Sequence, residues 1–417
     1  MSSLPKRRVV VTGLGAVTNV GADVPTMWAS LVAGRSGIGP ITGFEQCDDW
    51  PVTIAGEVAD FDPSVVVDRR EAKRMDRFCL LGLFASEEAA RDCGLDFTAG
   101  DPTRRGVVIG SGVGGIITIE NGAQKLMTAG PRKMSPFIVP KLMVNACAGN
   151  VSIRHNLKGV NSATATACAT GAHAIGTAYH LIQRGDADVM FAGGSEAAIS
   201  PLCIASFAAM KALSTRNGDP TKASRPFDRD RDGFVMAEGA GIIVLEEYDH
   251  ARARDAKIYA EVIGFGSSGD AQHIAAPDPE GLGAQAAMTM AIAQAGIGLE
   301  QVDYINAHGT STPLGDAAEV YAVKNLFGAD AKRLALSSTK SMTGHALGAA
   351  GGIESVVTIL AVHEGTVPPT INLDQPDDGF DLDFVAHEAQ SRTVRCGLNN
   401  SFGFGGHNVT LAFGPTP

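Results

Sequence analysis

Apolar and polar positions along the chain fall into two alternating periods. Short runs of β-branched and small apolar residues bounded by glycine, such as Val9-Val10-Val11, read as buried strands. Longer stretches carry bulky residues three or four positions apart, as at Ile175, Tyr179 and Ile182, and read as helices. A helical stretch over 86–94 precedes a strand over 106–110, and one over 284–296 precedes a strand over 302–305. The order repeats. Val9-Val10-Val11-Thr12-Gly13-Leu14-Gly15 opens the chain as a strand and a glycine turn, and the segment ending Gly264-Phe265-Gly266 echoes it. Ala169-Thr170-Gly171 opens one small-residue helix and Met342-Thr343-Gly344 another. The echo predicts two pseudo-symmetric α/β halves, 1–255 and 256–417, joined near 250–257. Alternating strands and helices predict a mainly parallel sheet in each half, covered on both faces.

Composition narrows the class. With 417 residues, 45% of them hydrophobic, the chain can bury a large core, which excludes intrinsic disorder. Its 50 glycines follow no G-X-Y period, so they serve tight turns and close backbone contacts. A net charge of −11 argues against nucleic acid as a partner. No uninterrupted apolar run reaches the ~18 residues of a membrane span. The basic start through Lys6, Arg7 and Arg8 resembles a signal n-region, but a strand follows it where an apolar core segment belongs. Seven cysteines without CxxC pairing fit reduced thiols in a cytoplasm.

Two motifs fail on inspection. Gly110-Ser111-Gly112-Val113-Gly114-Gly115 matches GxGxxG, but Gly130-Pro131-Arg132-Lys133 stands where a dinucleotide site needs an acidic residue. A close-packed turn is expected there. Asp228, Asp230, Asp232 and Gly233 resemble the start of an EF-hand loop, yet position 12 is Gly239. Beside Arg216, Arg225, Arg229 and Arg231 these aspartates are expected to form structural ion pairs.

Three segments carry chemistry. Thr164-Ala165-Thr166-Ala167-Cys168 ends a small, polar approach, and a helix is expected from Cys168 to about Arg184. That places the thiol at a helix N-terminus, which favours the thiolate and predicts alkylation of Cys168 before the other cysteines. The alternative is a buried structural cysteine. His173, one helical turn further on, reads as a packing residue. His308 follows one expected strand, and Lys340 and His345 follow another, both at strand ends that line a crevice in such sheets. Stacked halves would bring one thiol, two imidazoles and one lysine together, the parts of nucleophilic catalysis. No close Cys/His pairing suggests a metal. The loop Phe402-Gly403-Phe404-Gly405-Gly406 can offer backbone N–H groups beneath an aromatic cover, or it is only a tight turn.

In order and spacing these segments resemble the β-ketoacyl-[acyl-carrier-protein] synthases, in particular the type II condensing enzymes of fatty acid synthesis. Arg225-Pro226-Phe227-Asp228 and Val367-Pro368-Pro369 fit the same pattern, and the likeness runs from about Arg8 to Phe413. It implies a thiolase-like αβαβα fold, a homodimer, and decarboxylative condensation of an acyl thioester with malonyl-carrier protein. It also implies Cys168 as nucleophile, with oxyanion donors in its own N–H and that of Phe404. His308 and His345 become enolate donors, Lys340 an electrostatic support that keeps His345 correctly hydrogen-bonded, and Glu354 its partner. Thr310 and Thr312 become pantetheine contacts, Phe402 and Gly403 part of the substrate loop, and Phe404 a gate. No redox or nucleotide cofactor is implied; phosphopantetheine arrives on the acyl carrier protein, with room for a structural monovalent cation. Lys211, Ala237 and His407 depart from the family's usual arginine, glycine and threonine. A polyketide ketosynthase shares the triad, a thiolase would need a second cysteine that Cys396 does not supply, and a non-catalytic chain-length subunit would lack Cys168. For the acidic carrier protein the expected dock is Arg70, Lys73, Arg74 and Arg77, on one face if 69–77 is a helix, with Arg132 and Lys133 as the alternative.

Overall fold

Val9–Thr18 forms strand β1, which runs straight through the glycine pair expected to turn. Gly13 and Gly15 serve a close approach instead: a Cβ there would lie 2.4 and 1.9 Å from the carbonyl oxygens of Ala89 and Ala85. Both carbonyls belong to helix α1, Arg77–Cys93, which lies on β1. These elements come from a computed structural model that describes residues 7–59 and 61–417. Most of the basic start lies outside the described residues; Arg7 and Arg8 pair with Asp188 and Glu261.

Nine further strands complete the sheet: β2 Arg105–Gly110, β3 Asn161–Ser162, β4 Val189–Glu196, β5 Gly239–Glu247, β6 Ala260–Gly269, β7 Tyr304–Asn306, β8 Ala335–Ser337, β9 Gly397–Gly403 and β10 His407–Gly414. Their spatial order is β8-β7-β9-β10-β6-β1-β5-β4-β2-β3. At the centre β1 and β6 share only the pairs Val10–Glu261 and Val11–Ala260, so the sheet reads as two groups of five strands. The glycine echo is physical. A Cβ on Gly264 or Gly266 in β6 would lie 2.1 and 1.9 Å from the carbonyls of Ala291 and Ala287.

Each group is mixed, which corrects the expectation of mainly parallel sheets. β2 is parallel to β3 and β4, and β7 to β8 and β9, but β5 and β10 are antiparallel to both neighbours. In the second group the tight turn at 404–406 joins β9 to β10, and so short a link permits only an antiparallel pair.

Five more helices matter: α2 Ile116–Ala129, α3 Thr170–Gln183, α4 Leu282–Ala295, α5 Pro313–Phe327 and α6 Ala350–Glu364. α1 covers the first group from outside and α4 the second, while α3 and α6 fill the layer between the sheets. The result is the αβαβα layering. Small residues let α3 and α6 meet: a Cβ on Gly171 would lie 2.6 Å from the Gly352 nitrogen. α6 does not open at Met342-Thr343-Gly344. Lys340–Thr343 is a separate short helix that Gly344 stops at φ 71°, and the turn Leu347–Ala349 then leads into α6. Among the described residues, Leu347–Glu364 is long and apolar enough to span a bilayer, a stretch not expected from the sequence, but 89% of it is buried between the sheets.

Candidate active site

Cys168 sits in a tight turn, Ala167–Ala169, at the head of α3. Ala167 holds a left-handed φ of 48°, so the chain swings sharply and Cys168 faces a cavity of about 660 Å³. Thr170 Oγ1 accepts the Thr166 N–H at 2.8 Å and Thr164 Oγ1 donates to the Thr170 carbonyl at 3.0 Å, fixing the turn. The turn meets β9 closely. A Cβ on Gly403 would lie 2.8 Å from the Thr166 oxygen and 3.0 Å from the Cys168 nitrogen. That contact brings the Phe404 N–H to the Cys168 sulfur, beside the N–H of Cys168 itself.

The electrostatics differ from the expected thiolate. Burial pushes the Cys168 thiol up to about 12, against the pull of Lys340 and the Phe404 N–H. Cys168 is buried and faces the cavity, while Cys47 is exposed.

Both imidazoles reach the same cavity. His308 follows β7, and its N–H and that of Gly309 donate to the two oxygens of Glu319 at 2.9 and 2.8 Å. His345 is held through its backbone, donating to the Val235 carbonyl at 2.7 Å and accepting the Ala237 N–H at 3.0 Å. The rings stand 5.4 Å apart and nearly perpendicular. Burial, then the Lys340 charge, drives both well below the usual histidine range, and the neighbouring His345 adds to the effect on His308. They are neutral. Lys340 is itself buried and donates to Glu354 Oε1; neither ring nitrogen of His345 has a hydrogen-bond partner. The lysine acts on His345 through its charge. Burial raises Glu354 to about 7 despite that lysine.

Thr310 and Thr312 line the mouth with their hydroxyls 3.0 Å apart, and Thr312 caps α5 by accepting the Gly315 N–H. Phe402, Gly403 and Phe404 line it too, with Phe404 6.3 Å from the Phe207 ring. The basic run is not one helix. Arg69–Ala72 is a separate one-turn helix, and Asp76 caps the start of α1. Arg70, Lys73 and Arg74 remain exposed, whereas Arg77 turns inward onto Glu238 at 2.6 Å and the Val58 carbonyl.

Both rejected motifs resolve as expected. The glycine turn packs closely after β2, and Asp228 pairs with Arg225 at 2.9 Å. His173 is a packing residue, bonded to Thr166 and Ser267 at 2.8 Å each. Among the described residues no group of three or more metal-ligating side chains converges. Sequence reasoning missed Phe207, Phe234, Asp270 and His273 in the cavity wall, because segments far apart in the chain supply them, Phe207 from the helix Pro201–Ala209.

Two family models match the chain: "Beta-ketoacyl synthase, N-terminal domain" over 6–251 and "Beta-ketoacyl synthase, C-terminal domain" over 259–374. The chain belongs to the beta-ketoacyl synthase family, and it is a condensing enzyme with the thiolase-like fold. It is 52% identical to 3-oxoacyl-[acyl-carrier-protein] synthase 2 of Coxiella burnetii, over 98% of each chain. It is 51% identical to the protein of the same name from Synechocystis, over 99% of each. Among solved structures it resembles a beta-ketoacyl synthase from Burkholderia phymatum, with 35% identity and a TM-score of 0.91 over 99% of this chain and 100% of that one. It also resembles a type II polyketide ketosynthase solved with its acyl-carrier protein, with 34% identity and a TM-score of 0.92 over 99% and 100%.

Proposed function

We propose that this chain elongates carrier-bound acyl chains in fatty acid synthesis, joining an acyl thioester to malonyl-[acyl-carrier-protein] with loss of CO₂. One observation carries the reading: a buried thiol under two backbone N–H groups from opposite halves faces two neutral imidazoles in one cavity. Identity near 50% to fatty-acid-type relatives, against about a third for the polyketide enzyme, favours this pathway. The presence of Cys168 speaks against a non-catalytic subunit.

In the first half-reaction the Cys168 sulfur attacks the acyl thioester. The oxyanion takes the N–H groups of Cys168 and Phe404. The carrier's phosphopantetheine sulfur leaves, and the proton lost by the thiol ends on it. In the second, His308 and His345 donate N–H bonds to the malonyl thioester oxygen while the C–C bond to the carboxylate breaks. The resulting enolate carbon attacks acyl-Cys168, a C–C bond forms as the C–S bond to Cys168 breaks, and the released thiolate takes a proton from water. Neutral imidazoles suit this role, since they donate without titrating. Burial keeps them neutral, and the charge of Lys340, held by Glu354, adds to it. Thr310 and Thr312 bind the pantetheine arm, Phe404 gates the thiol, and Phe402 and Gly403 shape the approach.

Several finer points belong to the same reading. The carrier docks on Arg70, Lys73 and Arg74, with Lys211 at the mouth. Two copies pair through the exposed apolar residues Met127, Val139, Met143 and Ile153 and the open edge of β3. The halves 1–255 and 256–417 are duplicated units, and the enzyme works in the cytoplasm. Asn306, Glu354, Asn399 and Ser401 each leave a buried oxygen unpartnered, an all-oxygen donor set that fits a monovalent cation with a structural role. The test is turnover of defined acyl- and malonyl-carrier substrates. The expected product is the 3-oxoacyl carrier thioester, with one CO₂ released per product; CO₂ release with no lengthened chain refutes the reading.

A further inference from the structure

The two halves carry the same sharp turn, but only one holds a nucleophile. Ala167 at φ 48° precedes Cys168 and the head of α3; Leu347 at φ 43° precedes Gly348 and the head of α6. Gly348 therefore stands where Cys168 stands in the other half. At Cys168, two amides converge on the reacting sulfur. At Gly348, the amides converge on the carboxylate of Glu196.

Glu196 ends β4 and is completely buried. Its Oε2 accepts the N–H of Gly112 at 2.7 Å and of Gly348 at 3.0 Å. Its Oε1 accepts the Ser111 hydroxyl at 2.6 Å and the Val113 N–H at 3.2 Å. Three of the partners are backbone N–H donors and the fourth is a hydroxyl, and together they favour the carboxylate against burial, which pushes it up. Both glycines pack tightly here: a Cβ on Gly112 would lie 2.8 Å from Oε2, and one on Gly348 would lie 2.3 Å from the Gly112 nitrogen and 2.7 Å from Oε2. The four donors come from the loop after β2 and from the turn before α6, so one side chain ties the two halves together.

What it ties is the cavity wall. Gly112, Val113 and Leu347 line the cavity alongside Ala167 and Cys168. The backbone of His345 is held independently, by Val235 and Ala237. We propose that Glu196 is a positioning residue. Its carboxylate occupies a seat of converging donors beside the turn that matches the Cys168 turn, and it fixes the wall against which a long acyl chain lies on its way to Cys168. The role in acyl loading rests on the function proposed above; the seat itself does not.

Two variants test this. Glu196→Gln turns an amide NH₂ toward N–H donors, and Glu196→Gly empties the seat. Loading of Cys168 from long- and short-chain carrier thioesters is read by mass spectrometry, malonyl decarboxylation by CO₂ release, and folding by thermal melting. Long-chain loading is expected to fall about 10-fold, the effect of leaving buried donors unpaired, with short-chain loading and decarboxylation little changed. Formate is expected to fill the seat of Glu196→Gly, raising its melting temperature and restoring long-chain loading saturably, with no such effect on Glu196→Gln. Equal losses in all three activities, or formate without effect on Glu196→Gly, overturn the proposal. If Glu196→Gly does not fold, the chain-length split in Glu196→Gln decides it. A wild-type chain that never loads Cys168 sinks the functional reading instead, and formate-dependent stabilisation of Glu196→Gly still decides the seat.

Discussion

At the scale of single residues, burial decides protonation, and protonation decides who does what. Cys168 rests as a thiol and His308 and His345 as neutral donors, because the cavity penalises every charge except that of Lys340, which Glu354 answers. His308→Ala and His345→Ala are each expected to lower malonyl decarboxylation by ~10²–10³, the usual worth of one oxyanion donor. Cys168 acylation is expected to suffer much less in His308→Ala, as mass spectrometry of the loaded variant will show. Because both imidazoles titrate far below 6.5, the decarboxylation rate is expected to stay level through that pH. An acid limb centred near 6.5 would show that at least one of them protonates in the ordinary range.

At the scale of elements, the contact between β9 and the Cys168 turn sets the oxyanion donors. Gly403→Ala places a methyl group against the Thr166 carbonyl and the Cys168 and Ala169 nitrogens, and so pushes the Phe404 N–H away. Acyl transfer is expected to fall ~10²-fold or more, with decarboxylation less affected, since the histidines lie on other loops; half-reaction rates on the purified variant check this. The basic run divides into two roles. Lys73→Glu with Arg74→Glu is expected to raise KM for carrier-bound substrate several-fold and leave a pantetheine analogue unaffected. Arg77→Glu breaks the pair with buried Glu238, so a fall in melting temperature is expected, as for other broken buried pairs. Sequence reasoning erred at this scale for physical reasons. The periodicity of 69–77 could not reveal that Asp76 caps a new helix. Nor could the glycines of β1 reveal that they admit a helix backbone and make no turn.

At the scale of the whole molecule, the glycine echo was legible because close packing imposed it twice, at Gly13 and Gly15 and again at Gly264 and Gly266. That Cys168, His308 and His345 share one cavity was legible because each lies in a compact motif near a strand end or a helix head. Glu196 and the cavity wall were not, since they depend on how the halves meet. Packing also sets the response to acid. His308 and His345 bind a proton less readily folded than unfolded, so their contribution is complete above about 6.5, the unfolded histidine pKa, and is lost as pH falls below it. Melting temperature is expected to drop below that pH, and less steeply in the His308→Ala variant. A drop confined to pH below 4 would assign it to carboxylates alone.

The central claim is that one thiol carries the acyl chain and two neutral histidines deliver the carbon that joins it. Its most direct test is peptide mapping of the enzyme incubated with an acyl-carrier donor alone, then chased with malonyl-carrier protein. The account predicts one acyl group, on Cys168, stable until the chase and then discharged into a lengthened 3-oxoacyl product as CO₂ appears. An acyl group on any other residue, or one on Cys168 that the chase leaves in place, would contradict it.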